Sequence, residues 1–159
     1  MENYVFDKCP SLIMSDLNLP NCTICKSYWG GRNSGEIVTY KSNCRVYLPA
    51  VTSFGTYALG GYGSTFNIKY LYIGEDCTKI TYPLCYGSTL NAMICMAKTP
   101  PAITKAGTVK SKHLYVPASA VEAYQNDQYW SAAHTEITAI ENIDPSLLAF
   151  MKFESETMP

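Results

Sequence analysis

The residues of this chain with the most reactive side chains are seven cysteines and two histidines. Cys22 and Cys25 form a CxxC motif, the spacing at which thiolates bind zinc or exchange a disulfide. A zinc site needs a second cysteine pair or a histidine pair at ligand spacing, and His113 and His134 do not form one. The cysteines are also odd in number and irregularly spaced, unlike a secreted disulfide framework. We therefore expect no metal or redox centre, and interpret most cysteines as small buried hydrophobes.

The same residues give no sign of catalysis. A nucleophile requires a base within hydrogen-bond reach and a third group that orients the base, and neither histidine has a motif-spaced Ser, Cys or Asp. The glycine-rich run at 60–63 lacks the Gly-Lys-Ser/Thr sequence of a phosphate loop, so we interpret it as a turn. The acidic residues follow no calcium-loop pattern. We predict a protein that is not an enzyme and uses no cofactor.

Charge and hydropathy narrow the class of partner. The chain has 12 Lys and Arg against 13 Asp and Glu, a net charge of -1 that argues against capture of nucleic acid or an anionic membrane. The sequence contains no run of about 18 apolar residues, so it predicts no membrane-spanning helix. The first residues lack the basic and apolar regions of a secretory signal. We expect either a protein that stays in the cytoplasm of its maker or a piece of a longer exported chain.

An internal repeat organises the chain. The segment 56–67 recurs at 81–91 with one residue fewer, and an apolar-x-apolar triplet, often followed by Pro or Gly, occurs five times. The triplets begin 29, 25, 23 and 20 residues apart, in or close to the range of leucine-rich repeats. Each triplet predicts a short strand whose first and third residues face the core and whose middle residue faces outward. The predicted strands are 17–19, 46–48, 71–73, 94–96 and 114–116.

A further element follows three of the triplets and ends in threonine. Its central residues are Cys22, Val51 and Cys77. A position that accepts both Cys and Val is small and apolar, so we predict that it belongs to the core and binds no metal.

The end of the chain departs from the repeat. Ser119 and Glu122 have the spacing of a capping box, which predicts a short helix. Tyr124 and Trp130 are predicted to cover the last repeat, because the open end of a repeat array has to be capped. We divide the chain into three parts, which are a solenoid of about five repeats over 1–116, a cap over 117–143, and a tail or interaction segment over 144–159.

The tail contains an apolar cluster that is predicted to dock on the rest of the chain or on another subunit, because large exposed apolar groups favour aggregation. Pro145 and Ser146 are able to open a helix there. The cluster consists of Leu147, Leu148, Phe150, Met151 and Phe153.

These motifs resemble the BspA-type leucine-rich repeats of bacterial surface proteins, and residues 114–124 followed by Trp130 are similar to that family's C-terminal module. The resemblance covers roughly residues 10–143, and its most specific part is 92–130. It implies an α/β-poor, short right-handed solenoid with a parallel sheet on one side and a small cap. It also implies a non-catalytic adhesion or protein-binding role, usually exported and often found in gut Bacteroidetes. This chain departs from the family in three ways. Its first residues do not resemble a signal peptide, it has only about five repeats, and it has a longer, glycine-rich loop at 28–43.

Two functions remain open at this point. The first is a binding or adhesion domain, secreted or at the cell surface, that recognises a protein or glycan partner through its sheet face. The second is a structural or receptor-binding component of a phage virion or similar assembly, made in the cytoplasm, with the tail cluster as a subunit contact. Neither involves nucleic acid or a membrane span.

The residues predicted to face outward from the sheet are the candidate binding site. They also admit a purely structural interpretation, because aromatic neighbours stabilise adjacent strands. In that case the binding surface lies elsewhere, for example on the 28–43 loop. The outward positions are Asn18, Tyr47, Tyr72, Cys95 and Tyr115, of which the candidate site comprises Asn18, Tyr47, Tyr72 and Tyr115.

Overall fold

A computed structural model of the protein describes residues 13–14, 16–27, 39–40, 43–59, 68–85 and 89–159. Most of the 28–43 loop and the turn at 60–63 lie outside these residues. The described part of the chain consists of parallel strands with few helices, so the prediction of an α/β-poor fold with a parallel sheet is confirmed. Its longest helix has seven residues, and none is long and apolar enough to cross a bilayer.

In the described residues the strands are short, as the repeat predicts, and three helices lie near the end of the chain. The strands are β1 (Ile13–Met14), β2 (Leu17–Asn18), β3 (Ile24–Cys25), β4 (Thr39–Tyr40), β5 (Cys44–Leu48), β6 (Ser53–Phe54), β7 (Ile68–Ile73), β8 (Lys79–Ile80), β9 (Leu90–Cys95), β10 (Ser111–Val116) and β11 (His134–Ala139). The helices are α1 (Val121–Asn126), α2 (Trp130–Ala133) and α3 (Pro145–Met151), with 3₁₀ turns at Ala118–Ala120 and Ile140–Asn142.

Six of these strands form one sheet, in the order β2-β5-β7-β9-β10-β11, and every neighbouring pair is parallel. The sheet is open, with β2 and β11 as its edges among the described strands. Strand order follows chain order because each repeat adds its strand beside the strand of the preceding repeat. The five predicted triplets all lie on this sheet, so their placement in one parallel sheet is confirmed.

The frame of the fourth triplet was predicted one residue too late. Leu71 pairs with Met93 and Ile73 pairs with Cys95, so the repeat unit is 93–95 rather than 94–96. Cys95 is therefore a core residue with no exposed surface, and Ile94 takes the outward-facing register position. The run from Ala92 to Met96 is apolar throughout, so no polar residue marks which side chains face out.

The predicted cap contributes a sixth strand to the sheet. Ile137 of β11 pairs with Leu114 of β10, 23 residues earlier, which continues the spacing of the preceding repeats. The segment around Ile137 was predicted only as apolar mass beyond the last strand. Beneath this strand, Tyr124 and Trp130 have no exposed surface and pack edge to face with their ring centroids 5.0 Å apart. Their predicted burial over the end of the core is confirmed.

The helix after Pro117 is present, but the predicted capping box is wrong. Helix α1 begins after a 3₁₀ turn in which the Ala120 amide donates to the Pro117 carbonyl, and no side chain caps it. Helix α3, by contrast, begins as its sequence predicts. Pro145 occupies the first turn, and the Asp144 side chain accepts a hydrogen bond of 2.8 Å from the Ser146 amide.

A second, narrow sheet of strands β3, β6 and β8 lies at the turn that follows each triplet. Here the amide of Thr52 donates to the Thr23 carbonyl, and the amide of Thr78 donates to the Thr52 carbonyl. This register confirms the alignment of the three threonine-ending elements. Val51 and Cys77 are buried in the core as predicted, whereas Cys22, at the first repeat, is only partly buried.

Candidate binding face

The face of the six-stranded sheet opposite the main core, here called the outer face, presents two rows of side chains in register. One row contains the candidate site, and the other runs beside it. The first row is Asn18, Tyr47, Tyr72, Ile94, Tyr115 and Thr138. The second row is Arg45, Tyr70, Ala92, His113 and Glu136.

All four candidate residues belong to the first row, but they do not form one continuous ladder. The Tyr47 and Tyr72 rings are direct neighbours, with centroids 4.8 Å apart. Ile94, which is fully buried, separates Tyr72 from Tyr115. The row therefore has a tyrosine pair at one end, with exposed Asn18 beside it, and a single tyrosine at the other.

The tail predicted to dock does so on this face. Helix α3 packs over strands β5, β7 and β9, where Phe150 and Met151 are buried. The Phe150 ring meets the Tyr70 ring edge to face at a centroid distance of 5.4 Å. Leu147, Leu148 and Phe153 are partly buried. The tail thus forms a second, smaller core with the central strands and leaves strands β10 and β11 less covered.

A buried arginine, which the sequence did not single out, holds the tail in place. Arg45 on β5 is 2% exposed, and its Nε donates to the Asp16 carboxylate at 2.7 Å. Its Nη1 donates to the main-chain carbonyls of Phe150 and Ser155, each at 2.7 Å. Nη2 donates to the Glu156 carboxylate, also at 2.7 Å. This fork geometry satisfies the planar donors of a guanidinium, which makes its burial tolerable.

The part of the outer face not occupied by α3 contains polar groups. His113 is about half exposed, and its Nδ1 lies 2.9 Å from the Glu136 carboxylate. Its ring is nearly parallel to that of Tyr115, with centroids 6.3 Å apart. A groove of about 260 Å³ lies beside these residues and is bordered on the other side by Leu147 and Met158. This groove is a concave region of the candidate face.

The structure also brings together Ser111 and His134, 23 residues apart in sequence. The Ser111 hydroxyl lies 2.7 Å from His134 Nδ1 and also donates to the His113 carbonyl at 2.9 Å. His134 stacks on Trp130, and its Nε2 has no hydrogen-bond partner in the described residues. Burial lowers the pKa of His134 to about 4. The pair is enclosed beneath the sheet edge, so we assign it to the packing of the cap.

The described cysteines do not form a reactive cluster. None of these six cysteines forms a disulfide. Among the described residues, no group of His, Cys, Asp and Glu side chains is able to hold a metal ion. Burial raises the pKa of Cys25, Cys77 and Cys85 to about 12 in each case, so these thiols stay protonated at neutral pH. In the CxxC motif, Cys22 Sγ contacts the Ile24 carbonyl at 3.6 Å.

Comparison with known proteins gave no match to a family model, a curated protein or a solved structure.

Proposed function

We propose that this protein is a non-catalytic binding domain, and that its repeats form a short right-handed solenoid of the BspA-type leucine-rich-repeat kind. In that proposal the outer face recognises a protein or glycan partner outside the cell, at a cell surface or after secretion. The observation that carries it is the strict register of the outer-face rows. Parallel strands hold side chains of successive repeats in a fixed spacing, which gives a rigid surface for recognition.

The contact region is proposed to be the end of the outer face that α3 leaves open, at strands β10 and β11. His113, Tyr115 and Glu136 lie there together, and His113 and Glu136 are about half exposed. Tyrosine contributes a large amphipathic surface with little loss of conformational entropy, which suits binding surfaces. Asn18, Tyr47 and Tyr72 extend the same register row towards the other end of the sheet.

An array experiment tests this function. Wild-type protein is applied to glycan and extracellular-protein arrays beside the double variant His113→Ala/Tyr115→Ala and the control Ile24→Ala, which alters an exposed residue of the narrow sheet. We expect ligands that the double variant loses and the control retains. Ligands retained by the double variant would contradict the proposed face.

The lack of disulfides among the described cysteines favours the alternative function, a component of a phage virion or similar assembly. Six described cysteines without a disulfide are typical of a protein made and kept in a reducing compartment. A subunit contact through the tail would use Leu147, Leu148 and Phe153, since Phe150 and Met151 are already buried. Sedimentation of the protein alone separates the alternatives, because an assembly subunit associates as its concentration rises while a binding domain stays monomeric.

A further inference from the structure

The groove beside Tyr115 combines an apolar lining with polar groups at its rim. It lies between the strands β9 and β10 and the first turn of α3, and encloses about 260 Å³. Ala92 and Leu147 supply aliphatic surface, and Tyr70, Met158 and Pro159 are also among the lining residues. Small-molecule sites are typically concave and mostly apolar, with few polar groups that fix orientation. This groove has that composition.

Tyr115 provides the flat surface of the groove. Its ring is partly buried and lies nearly parallel to the His113 imidazole, which restricts its orientation. Its hydroxyl has no hydrogen-bond partner among the described residues. Burial, and then the nearby Glu136 carboxylate, raises the pKa of Tyr115, so the phenol remains a neutral donor. The ring can therefore stack against a ligand while its hydroxyl binds the ligand's edge.

Two further polar groups at the rim have hydrogen-bonding atoms without a partner in the described residues. The Asn91 amide nitrogen contacts the Tyr70 hydroxyl at 3.5 Å, but its carbonyl oxygen accepts no hydrogen bond from the described residues. His113 pairs with the Glu136 carboxylate through Nδ1, and its Nε2 has no hydrogen-bond partner in the described part of the chain. Asparagine, imidazole and phenol together offer both donors and acceptors.

The charges around the groove narrow the class of ligand. No lysine, arginine, aspartate or glutamate side chain is among its lining residues, and the Glu136 carboxylate beside the groove is already paired with His113. A phosphate therefore finds no cationic side chain in the lining. A purely hydrocarbon ligand would leave the rim groups without hydrogen bonds, at a cost in free energy. A ring with an apolar face and hydroxyl groups around its edge satisfies both parts of the groove.

We propose that this groove binds one pyranose ring of a neutral glycan, stacked on Tyr115 and hydrogen-bonded through its hydroxyl groups to Asn91 and His113. The proposal rests on the proposed binding function and specifies its ligand. In this proposal Tyr115 stacks against the sugar ring, and Asn91 and His113 discriminate between sugars through their hydrogen bonds.

Saturation-transfer NMR with methyl pyranosides of glucose, galactose, mannose and N-acetylglucosamine tests the proposal. We expect at least one sugar to bind with a millimolar Kd, and Tyr115→Ala to raise that Kd about tenfold or more, equivalent to losing one good contact. Tyr115→Phe keeps the ring and should cost only about two- to fivefold, because one hydrogen bond is lost. Ile24→Ala is the matched control and should bind like wild type.

Chemical shifts of the wild-type protein give a measurement that needs no folded variant. A bound sugar should perturb the amide signals of residues 91, 113 and 115. If no pyranoside binds at about 10 mM, a concentration that detects a millimolar Kd, or if binding is indifferent to Tyr115→Ala, the sugar site is wrong. The proposed binding function would still stand if a protein ligand is lost in the His113→Ala/Tyr115→Ala variant.

Discussion

The Arg45 guanidinium binds both the main chain and the ring of Phe150. Nη1 donates to the Phe150 carbonyl at 2.7 Å, while Cζ lies 4.4 Å from the centroid of the Phe150 ring. The Phe153 ring lies 4.0 Å from the same Cζ atom. Two aromatic rings and four acceptor groups thus surround one cation that is 2% exposed. Arg45 thus connects the second repeat to the tail.

Replacing Arg45 by Met should destabilise the tail and the protein. The substitution leaves the partly exposed Asp16 carboxylate and the carbonyl groups of Phe150 and Ser155 without their donor. A buried acceptor that loses its partner typically costs about 1–3 kcal/mol. Urea denaturation measures the free energy of unfolding. Glu156→Gln is the control, because the Glu156 side chain is 84% exposed and such ion pairs contribute under about 1 kcal/mol. Equal stability of the two variants would show that Arg45 does not anchor the tail.

Removal of residues 144–159 should leave the main core folded but expose the outer face. Tyr70 and Ile94 would lose their cover, and large exposed apolar patches favour association. We expect native-like circular dichroism in the far ultraviolet together with dye binding to apolar surface and lower solubility. A truncated chain that cannot fold would show instead that the two cores are one cooperative unit.

The repeat predicted the sheet because its signal is local and recurs in every unit. Alternating apolar triplets at regular intervals specify short strands, and the requirement to bury each strand specifies parallel stacking. The one error of frame occurred at 94–96, where neighbouring residues are apolar on both faces. Ile94 is apolar although it faces outward, because α3 and the adjoining tail residues form a second core there.

The cover over the outer face was not predicted because its determinants are distant in sequence. The tail's apolar cluster predicted docking but carried no signal of where. Arg45 lies more than 100 residues from its tail acceptors, and a lone arginine in a strand is usually exposed. The Ser111–His134 contact was missed for the same reason, since it depends on the register of β10 against β11.

His134 should make stability depend on pH. Its pKa falls from 6.5 to about 4 on folding because burial disfavours the charged ring. The unfolded chain therefore binds this proton more readily, so stability is full above pH 6.5 and declines as the pH falls towards about 4, by about 3 kcal/mol in total. Urea denaturation across this pH range gives the free energy of unfolding, which should depend less steeply on pH in His134→Gln than in the wild type. Ile24→Ala, which changes an exposed residue without removing a titratable group, is the control and should show the wild-type dependence on pH.

Cys77→Val should be tolerated because Val51 occupies the equivalent buried position in the preceding repeat. A change that nearly conserves volume in a core typically costs under about 1.5 kcal/mol. Cys77→Ser, of similar size, should cost more, since burying a hydroxyl without a full set of partners costs roughly 1–3 kcal/mol. Thermal unfolding of the two variants compares them directly. A Val variant less stable than the Ser variant would mean that the thiol makes a specific contribution.

The tyrosine pair on the outer face can be separated into its structural and binding contributions. Tyr47 and Tyr72 are in contact within the same row as Tyr115, with their rings tilted by 48°, and burial raises the pKa of Tyr72. Replacing both with Thr keeps strand propensity and removes the rings. Because aromatic pairs contribute about 0.5–1.5 kcal/mol beyond their buried area, the melting temperature should fall.

Binding should respond differently if contact is confined to the open end of the face. Tyr47 lies 6.4 Å from the Phe153 ring, centroid to centroid, beside the docked tail, whereas Tyr115 lies beyond Ile94 at the open end. We therefore expect the Tyr47→Thr/Tyr72→Thr variant to melt at a lower temperature yet bind the array ligands with nearly wild-type affinity. Affinity is measured well below the melting temperature of the variant, so that both proteins are folded. A large loss of affinity under those conditions would extend the binding surface along the whole row to Asn18.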